Sequence, residues 1–315
     1  MKRRDFNLLF LGGAKRVSMA RHFKEAAQAM GLQCNIYSYE MSGHEAIASE
    51  ATVIEGLRWA DPAVDAHLRG IIAEHHIHAV IPFVDGAVAV AARLADVAFV
   101  PCGTPESAEA MFDKVRAARI FADAGLPIPT TYSEGMPSLR LIAKPRRGSA
   151  SKGIVEIHSL QELDAILGKS SEYLIQERID NRREYTVDCY ADVNTGEVLV
   201  ACPRVRLQVA GGEVTKTITV DNRALQDLSA RAIDAIGLRG AITVQFIEDL
   251  DDGRLLLMEI NPRLGGGAVC SVAAGADIPG LIIRQALGMP ITKPKWTPGV
   301  EIARYPAEVV FFPNK

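Results

Sequence analysis

The apolar and polar residues of the first hundred positions alternate between short apolar runs and longer amphipathic stretches. A short apolar run between turn residues predicts a buried strand, and a longer stretch with helical spacing predicts a helix. Regular alternation of the two predicts a parallel sheet with helices on its faces. The predicted elements are strands at 7–11, 33–39 and 78–83 and helices at 17–30 and 62–75.

The first predicted strand ends in Gly12-Gly13, and a helix follows. Such a turn can bind a dinucleotide, with Glu40 near the end of the second strand as a ribose ligand. The segment GGAKRVS, however, has neither the GxGxxG spacing nor the GxxxxGK[ST] pattern of a phosphate-binding loop. An ordinary strand-to-helix turn is therefore the preferred interpretation.

A stripe of apolar residues follows Thr104-Pro105, a pair that is typical of a helix start. The stripe predicts one helix that continues to the segment AGLPIP. It consists of Met111, Val115, Ala118 and Ala122. Lys114 lies off the stripe and can point away from the packed face, although a lone lysine at such a position is most often a solvated surface charge.

Beyond residue 138 strands predominate, at 139–143, 153–158 and 172–177, with a helix at 159–167. Between the first two strands lies the basic loop KPRRGSASKG, residues 144–153. Backbone amides of a loop rich in Gly and Ser can point at phosphate oxygens, and the Lys and Arg residues add charge. A flexible hairpin tip explains the loop equally well when it is considered alone.

The next two segments, 184–193 and 198–207, have the alternation of half-buried antiparallel strands. The second carries Arg204 and Arg206. Residues two apart on a strand share a face, so these arginines could clamp one anion. Surface solubility is an equally good explanation of the pair.

A hairpin of two strands, 241–250 and 254–261, follows a predicted helix at 225–236. The loop Asp251-Asp252-Gly253 suits a type I turn followed by a left-handed glycine, which pairs residue 250 with residue 254. In that register Gln245 lies opposite Glu259, and Thr243 lies opposite Asn261, all on one face of the sheet.

The face of this hairpin collects oxygen ligands from Gln245, Glu259 and Asn261. One carboxylate and two carboxamides suit Mg²⁺, which completes its shell with water and phosphate oxygens, whereas zinc favours His or Cys. Arg263 is placed to meet a phosphate or the charge that develops on it. A hydrogen-bonded trio with a purely structural role is the alternative.

The composition narrows the class of protein. A chain of 315 residues with 48% hydrophobic residues fits a globular protein of two or three compact units. A net charge of −3 provides no broad cationic surface for nucleic acid. Five widely spaced cysteines without a CxxC pair favour a reducing cytoplasm, and no apolar segment approaches the roughly 18 residues of a membrane span.

Taken in order, these motifs resemble those of an ATP-grasp enzyme, and they are most similar to the ATP-binding halves of the large subunit of carbamoyl-phosphate synthase. Each motif is weak alone, but the order and spacing of the set make the match specific. The motifs are Lys114 before GLPIP, Lys144 in IAKP, the loop 148–153, IQERI at 175–179, EYTVD at 184–188, Gln245, and EINPR at 259–263.

The resemblance extends from the first strand to about residue 290 and implies a mixed α/β and α+β fold. An N-terminal parallel-sheet, Rossmann-like domain would occupy 1–103, and the two α+β lobes of an ATP-grasp domain would occupy 104–315. Within the second domain, the lid subdomain would span about 128–175 and the C-terminal lobe about 176–315.

The resemblance also implies a role for each matching residue. The predicted contacts to ATP are Lys114 and Lys144 for the phosphates, Gly148, Ser149, Ser151 and Gly153 in the lid, Glu177, Arg178 and Ile179 for the adenine, and Glu184 for the ribose. Gln245, Glu259 and Asn261 would hold one or two Mg²⁺ ions, which Mn²⁺ could replace, and Arg263 would face the transferring phosphoryl group. Apart from the resemblance, Arg204 and Arg206 are predicted to bind the carboxylate of the substrate or the acyl phosphate.

The leading functional hypothesis is an ATP-dependent ligase that joins a small-molecule carboxylate to an amine through an acyl phosphate. A bicarbonate or carbamate kinase is the second hypothesis, although the chain contains one ATP-grasp unit where the synthase has two. A regulatory protein that binds ATP without turnover is the third, and the full metal cluster argues against it. The alternating segment 300–312 either completes the sheet or pairs with a second subunit in a homodimer, and completion is the more common arrangement.

Overall fold

A computed structural model of the chain describes residues 4–133, 140–148 and 152–312. The first part forms the predicted parallel sheet, with strand order β3-β2-β1-β4. Its elements are β1 (Arg4–Leu11), α1 (Val17–Ala29), β2 (Leu32–Glu40), β3 (Thr52–Glu55), α2 (Val64–Glu74), β4 (Ala79–Pro82) and α3 (Asp85–Ala92). Most of β1 is an unbroken apolar run because both faces of the strand are buried.

The single helix predicted after Thr104 is wrong: the structure has two helices, α4 (Pro105–Met111) and α5 (Lys114–Asp123). The interruption lies at Asp113, whose side chain accepts a hydrogen bond from the backbone N–H of Arg116 at 3.1 Å and so caps α5. Aspartate is a favoured N-cap residue, and the apolar stripe did not reveal this second helix start. Lys114 consequently lies in the first turn of α5.

A small three-stranded antiparallel sheet follows, in the order β6-β5-β7. Its elements are β5 (Leu141–Pro145), β6 (Val155–Ile157), α6 (Leu160–Leu167) and β7 (Tyr173–Glu177). They have their own apolar core, in which Leu141 and Ile157 are completely or almost completely buried. Ser149 and Ser151, predicted to belong to the lid, lie outside the described residues.

The third sheet is antiparallel and has six strands in the order β12-β11-β8-β9-β10-β13. Its strands are β8 (Arg182–Ala191), β9 (Val198–Ala210), β10 (Glu213–Thr219), β11 (Gly240–Asp249), β12 (Leu255–Asn261) and β13 (Glu301–Ala303), with helices α7 (Arg223–Ile236), α8 (Ala268–Ala273) and α9 (Ile278–Ala286). The C-terminal segment therefore completes the sheet, but only over the three residues of β13.

The β11–β12 hairpin has the predicted pairs, Gln245 opposite Glu259 and Thr243 opposite Asn261. The predicted turn is wrong, because Asp249 and not Leu250 pairs with Arg254, so the loop has one residue more than expected. A β-bulge at Met258 restores the predicted register beyond it. The bulge also brings Met258 to the same cavity as Glu259.

The parallel sheet and the six-stranded sheet share one apolar core. Phe23 of α1 packs in the same cluster as Tyr190 of β8 and Leu281 of α9. This shared core packs α1 against α8 and α9, the two helices that follow β12. Among the described residues, no helix is both long and apolar enough to cross a membrane.

Candidate active site

A cavity of about 440 Å³ lies where the three sheets meet, within the size range of small-ligand pockets. Thirteen of the predicted site residues line it: Lys114, Lys144, Gly148, Glu177, Arg178, Ile179, Glu184, Arg204, Arg206, Gln245, Glu259, Asn261 and Arg263. Gly153, although described, is not among the lining residues. The cavity thus collects side chains that are far apart in the sequence.

Lys144 of β5 is only 7% exposed. Its Nζ donates to Oε1 of Gln176 at 3.0 Å and lies 3.6 Å from Sδ of Met258. Burial lowers the pKa of Lys144 to about 8, although the nearby charge of Glu259 opposes the shift. Among the described residues no carboxylate lies within 4.0 Å of this ammonium, so its charge remains available to a ligand.

Lys114 is fixed by the loop after β5. Its Nζ donates to the carbonyl oxygen of Gly148 at 2.7 Å, and its backbone N–H donates to the carbonyl of Arg146 at 2.9 Å. The carboxylate of Asp113 accepts from Nε of Arg146 at 2.8 Å and from its Nη2 at 2.7 Å. Burial alone would raise the pKa of Asp113, but the N–H of Arg116 and the Arg146 guanidinium hold it below its usual value.

The predicted adenine residues use their side chains within the protein. The Glu177 carboxylate accepts from the backbone N–H of Thr130 at 2.8 Å and from the guanidinium of Arg254 at 3.0 Å. Arg178 pairs with Glu156 at 2.9 Å. These side-chain contacts fix the end of β7 and the residues after it. A ligand in the cavity would therefore meet mainly the backbone of this segment.

The predicted metal ligands lie together, with Gln245 in the middle of β11 and Glu259 and Asn261 at the end of β12. Asn261 Nδ2 donates to Oε1 of Glu259 at 2.7 Å, and Gln245 is opposite Glu259 in the ladder. In the part of the chain that the structure describes, no cluster of three or more His, Cys, Asp or Glu could hold a metal. A set of one carboxylate and two carboxamides fits Mg²⁺ that takes its remaining oxygens from a nucleotide and from water.

Arg204 and Arg206 are not a solubility feature. Arg204 is 2% exposed, and its Nε donates to Oδ2 of Asp188 at 2.8 Å, which also accepts from Oγ of Ser271 at 2.6 Å. Nε of Arg206 lies 3.3 Å from Oε2 of Glu184, the predicted ribose ligand. Both guanidinium groups are therefore fixed on the cavity wall.

Arg263 pairs with a residue that the sequence did not reveal. Its Nε donates to Oδ1 of Asp85, in the first turn of α3, at 2.5 Å. Thr243 fixes the chain after Arg263, because its Oγ1 donates to the carbonyl of Arg263 at 2.9 Å and accepts from the N–H of Gly265 at 3.0 Å. The N-terminal sheet thus supplies part of the cavity wall.

Arg16 and Arg304, which were not predicted as site residues, also line the cavity, as does Arg182. Arg16 precedes α1 and lies 5.9 Å from the centre of the Phe83 ring. Nη1 of Arg304, just after β13, is 3.2 Å from Oε2 of Glu213. Both arginines are remote in sequence from the motifs. The only sequence feature that pointed to either of them was the basic pair Lys15-Arg16 in GGAKRVS.

Comparison with known proteins gives a consistent result. The family described as ATP-grasp in the biosynthetic pathway with Ter operon matches residues 169–307. The carbamoyl phosphate synthase large chain of Bifidobacterium animalis subsp. lactis is 28% identical over 165 residues, which cover 47% of this chain and 14% of that protein. D-alanine–D-alanine ligase A of Mesorhizobium japonicum is 31% identical over 213 residues, 58% of this chain and 59% of that one.

Among solved structures, a biotin carboxylase complex from Campylobacter jejuni superposes with a TM-score of 0.73. The superposition covers 92% of this chain and 73% of that one, at 18% identity, and therefore shows the fold. These matches support an ATP-grasp protein, since residues 169–307 match an ATP-grasp family and the chain has the fold of that biotin carboxylase. The fold class predicted from the sequence, a parallel-sheet domain followed by antiparallel ATP-grasp lobes, is confirmed.

The aligned segment is only 14% of the length of the synthase, so the likeness of this chain to that relative concerns one portion of a much larger protein. Three kinds of chemical group line the cavity. One end carries ammonium groups that have no carboxylate within 4.0 Å among the described residues, the middle carries oxygen ligands, and the other end carries guanidinium groups. Such a cavity can align a polyphosphate with a second anionic molecule.

Proposed function

We propose that the protein is an ATP-dependent ligase that joins a small-molecule carboxylate to an amine. The observation that carries this proposal is the single cavity that combines Lys114 and Lys144, the set Gln245, Glu259 and Asn261, and several guanidinium groups. Phosphoryl transfer depends mainly on alignment of the reactants and on neutralisation of charge, and these groups supply both.

In the first step, a carboxylate oxygen attacks the γ-phosphorus of ATP while the bond from that phosphorus to the ADP oxygen breaks. In the second step, the amine attacks the acyl carbon, inorganic phosphate leaves, and the nitrogen loses a proton. Lys114 and Lys144 bind the phosphates. Arg263, held by Asp85, and Arg204 with Arg206 bind the oxygens of the carboxylate and of the acyl phosphate.

The residues that would hold Mg²⁺ are Gln245, Glu259 and Asn261. The ion, when bound, would neutralise charge on the phosphate oxygens of ATP. Gly148, which follows β5, lies at the phosphate end, since its carbonyl accepts from Lys114, and its φ of 129° is a conformation that favours glycine. Cover over the acyl phosphate would exclude water and so prevent its hydrolysis.

A bicarbonate or carbamate kinase is the second candidate, because about half of this chain is similar to a segment of the synthase large chain. It uses the same phosphate end of the cavity and differs only in the acceptor. ADP release that depends on bicarbonate alone would favour this candidate over the ligase.

The test is Mg-dependent ADP release with ATP and a panel of amino acids, small dicarboxylates and bicarbonate, offered singly and in pairs, with mass spectrometry of each positive reaction. A ligase gives a signal that needs both an acid and an amine, and a product lighter by one water than the two together. Binding of MgATP without turnover by any pair would contradict the proposal and favour a regulatory protein.

A further inference from the structure

The end of the cavity beyond the oxygen ligands contains three guanidinium groups that we call the arginine cluster: Arg16, Arg263 and Arg304. They come from the start of α1, from the turn after β12 and from the residue after β13. Burial lowers the pKa of Arg16, and the charges of Arg263 and Arg304 lower it further, although the charge of Glu213 opposes the shift. Only Arg263 has a role in the proposed reaction.

Two of the three glycines in the segment 265–267, Gly266 and Gly267, make room for guanidinium groups. A β-carbon on Gly266 would lie 2.7 Å from Nη1 of Arg16 and 3.5 Å from Nη1 of Arg304. A β-carbon on Gly267 would lie 2.6 Å from Nη1 of Arg204. None of these glycines has the left-handed φ that requires glycine, so the missing side chain is the feature that the site uses.

The arginine cluster has three positive charges and two carboxylate partners. Arg263 pairs with Asp85, and Arg304 pairs with Glu213. Arg16 is half-buried, and among the described residues no carboxylate lies within 4.0 Å of its guanidinium, although the charge of Glu213, the partner of Arg304, acts on it from farther away. A guanidinium remains protonated in proteins, and a charge removed from water without a partner is costly. The missing partner is an anion that a ligand would supply.

The position of the cluster indicates which part of a ligand it would meet. Lys144 contacts Met258, at one side of Glu259, whereas Arg263 and Gly266 follow Asn261 on the other side. Glu259 and Asn261 are two strand positions apart, which is about 7 Å along β12. The phosphates of ATP would occupy the lysine side, so the arginine cluster faces the part of the acid that is remote from the nucleotide.

We propose that Arg16 and Arg304, on either side of Gly266, bind a second anionic group of the acid, so that the substrate is a dianionic acid. It is either a dicarboxylate or a carboxylate that also carries a phosphate. Both guanidinium groups lie within 3.5 Å of the place that a β-carbon on Gly266 would occupy, which is close enough for one oxyanion to contact both. The inference rests on the proposed ligase function.

The test is calorimetric titration of acids into the protein saturated with MgADP. Dicarboxylates from malonate to adipate are compared with monocarboxylates of equal length, and phosphoglycolate is compared with glycolate. The wild type is expected to bind dianions of one of these two series more tightly than the matched monoanions. The series that binds identifies the second group as a carboxylate or a phosphate.

Two variants locate the effect. Arg16→Gln is expected to weaken dianion binding by roughly 10- to 100-fold, the cost of losing a charged hydrogen bond, and to leave MgADP and monoanion binding unchanged. Gly266→Ala displaces the tip of the flexible Arg16 side chain without disturbing the backbone, and its effect should have the same direction. Arg21→Gln, an exposed arginine of α1 that pairs with Glu50 at 2.7 Å, is the matched control and should match the wild type.

Equal affinity of the wild type for dianions and monoanions would overturn the inference, as would a dianion preference that survives in both Arg16→Gln and Gly266→Ala. Failure of the proposed function has a different signature. In that case MgADP itself does not bind, or it binds and no acid and amine pair yields a product.

Discussion

The two ends of the cavity hold their cations in different ways. At the lysine end, Lys114 and Lys144 donate to neutral acceptors, the Gly148 carbonyl and the Gln176 amide oxygen. At the arginine end, four of the five guanidinium groups have a carboxylate partner. The pairs are Arg204 with Asp188, Arg206 with Glu184, Arg263 with Asp85, and Arg304 with Glu213.

This difference suggests two different tasks. Neutral partners orient an ammonium group and leave its whole charge for a ligand, as a site for polyphosphate requires. Carboxylate partners fix a guanidinium group in a defined orientation but cancel most of its charge, which favours geometric selection of a substrate. The lysine end is thus built for charge neutralisation, and the arginine end is built for recognition.

The oxygen ligands between the two ends should be the most sensitive part of the site. Glu259→Ala removes the only carboxylate of the predicted metal set, and we expect the rate of ADP release to fall on the order of a hundredfold or more. Glu301→Ala, an exposed carboxylate that pairs with Lys216 at 2.8 Å, is the control and should keep full activity. Near-normal turnover of Glu259→Ala would contradict the assignment.

Asp85→Asn tests whether the arginine end depends on its carboxylates. The change leaves Arg263 without its charged partner, and we expect turnover to fall by about tenfold while the Kd for MgATP is unchanged. Asp96→Asn, in the same N-terminal part and paired with Arg69 at 2.9 Å on the surface, should have no effect. If Asp85→Asn weakened MgATP binding as much as it lowered turnover, the two ends of the cavity would not act independently.

The lysine end should respond to pH. The pKa of Lys144 is lowered to about 8 by burial, so raising the pH through this value removes the proton and the charge that faces the phosphates. We expect the affinity for MgATP to fall by at most about tenfold between about pH 7 and 9. Lys144→Met should bind MgATP weakly at every pH. Calorimetry at several pH values measures the Kd for MgATP of the wild type and of the variant. A flat profile in the wild type would refute this role.

Lys114→Met should have the smallest effect of the four. Lys114 is half-buried and retains more contact with water than Lys144, so we expect the Kd for MgATP to rise by only about three- to tenfold. Lys293→Met is the matched control, because Lys293 pairs with Glu197 at 2.7 Å on the surface. A loss larger than that of Lys144→Met would reverse the proposed order of the two lysines.

The sequence predicted the elements and the motif positions well, because both depend on local periodicity. The pairing of Gln245 with Glu259 was predicted correctly, although by an incomplete argument. The turn was placed one residue too late, and the bulge at Met258 cancelled the error. A bulge of this kind has no clear signature in an apolar run such as LLLME.

The arginine end could not be predicted in the same way. The parallel sheet and the antiparallel sheet share a core, and this packing brings Arg16, Asp85 and Arg304 to the cavity. Packing between segments that are distant in the chain does not produce a periodic pattern in the sequence. The helix break at Asp113 was missed because the apolar stripe continues across it. The domain boundaries and the roles of the site residues remain predictions.

The most direct test of the account follows the oxygen atoms of the acid. The acid identified in the ADP-release panel is prepared with heavy oxygen in its carboxylate, and the inorganic phosphate produced in the complete reaction is analysed by mass spectrometry. Formation of an acyl phosphate predicts phosphate that carries one heavy oxygen atom from the carboxylate. Phosphate without the label, formed together with the amide, would contradict an acyl phosphate and with it the proposed mechanism.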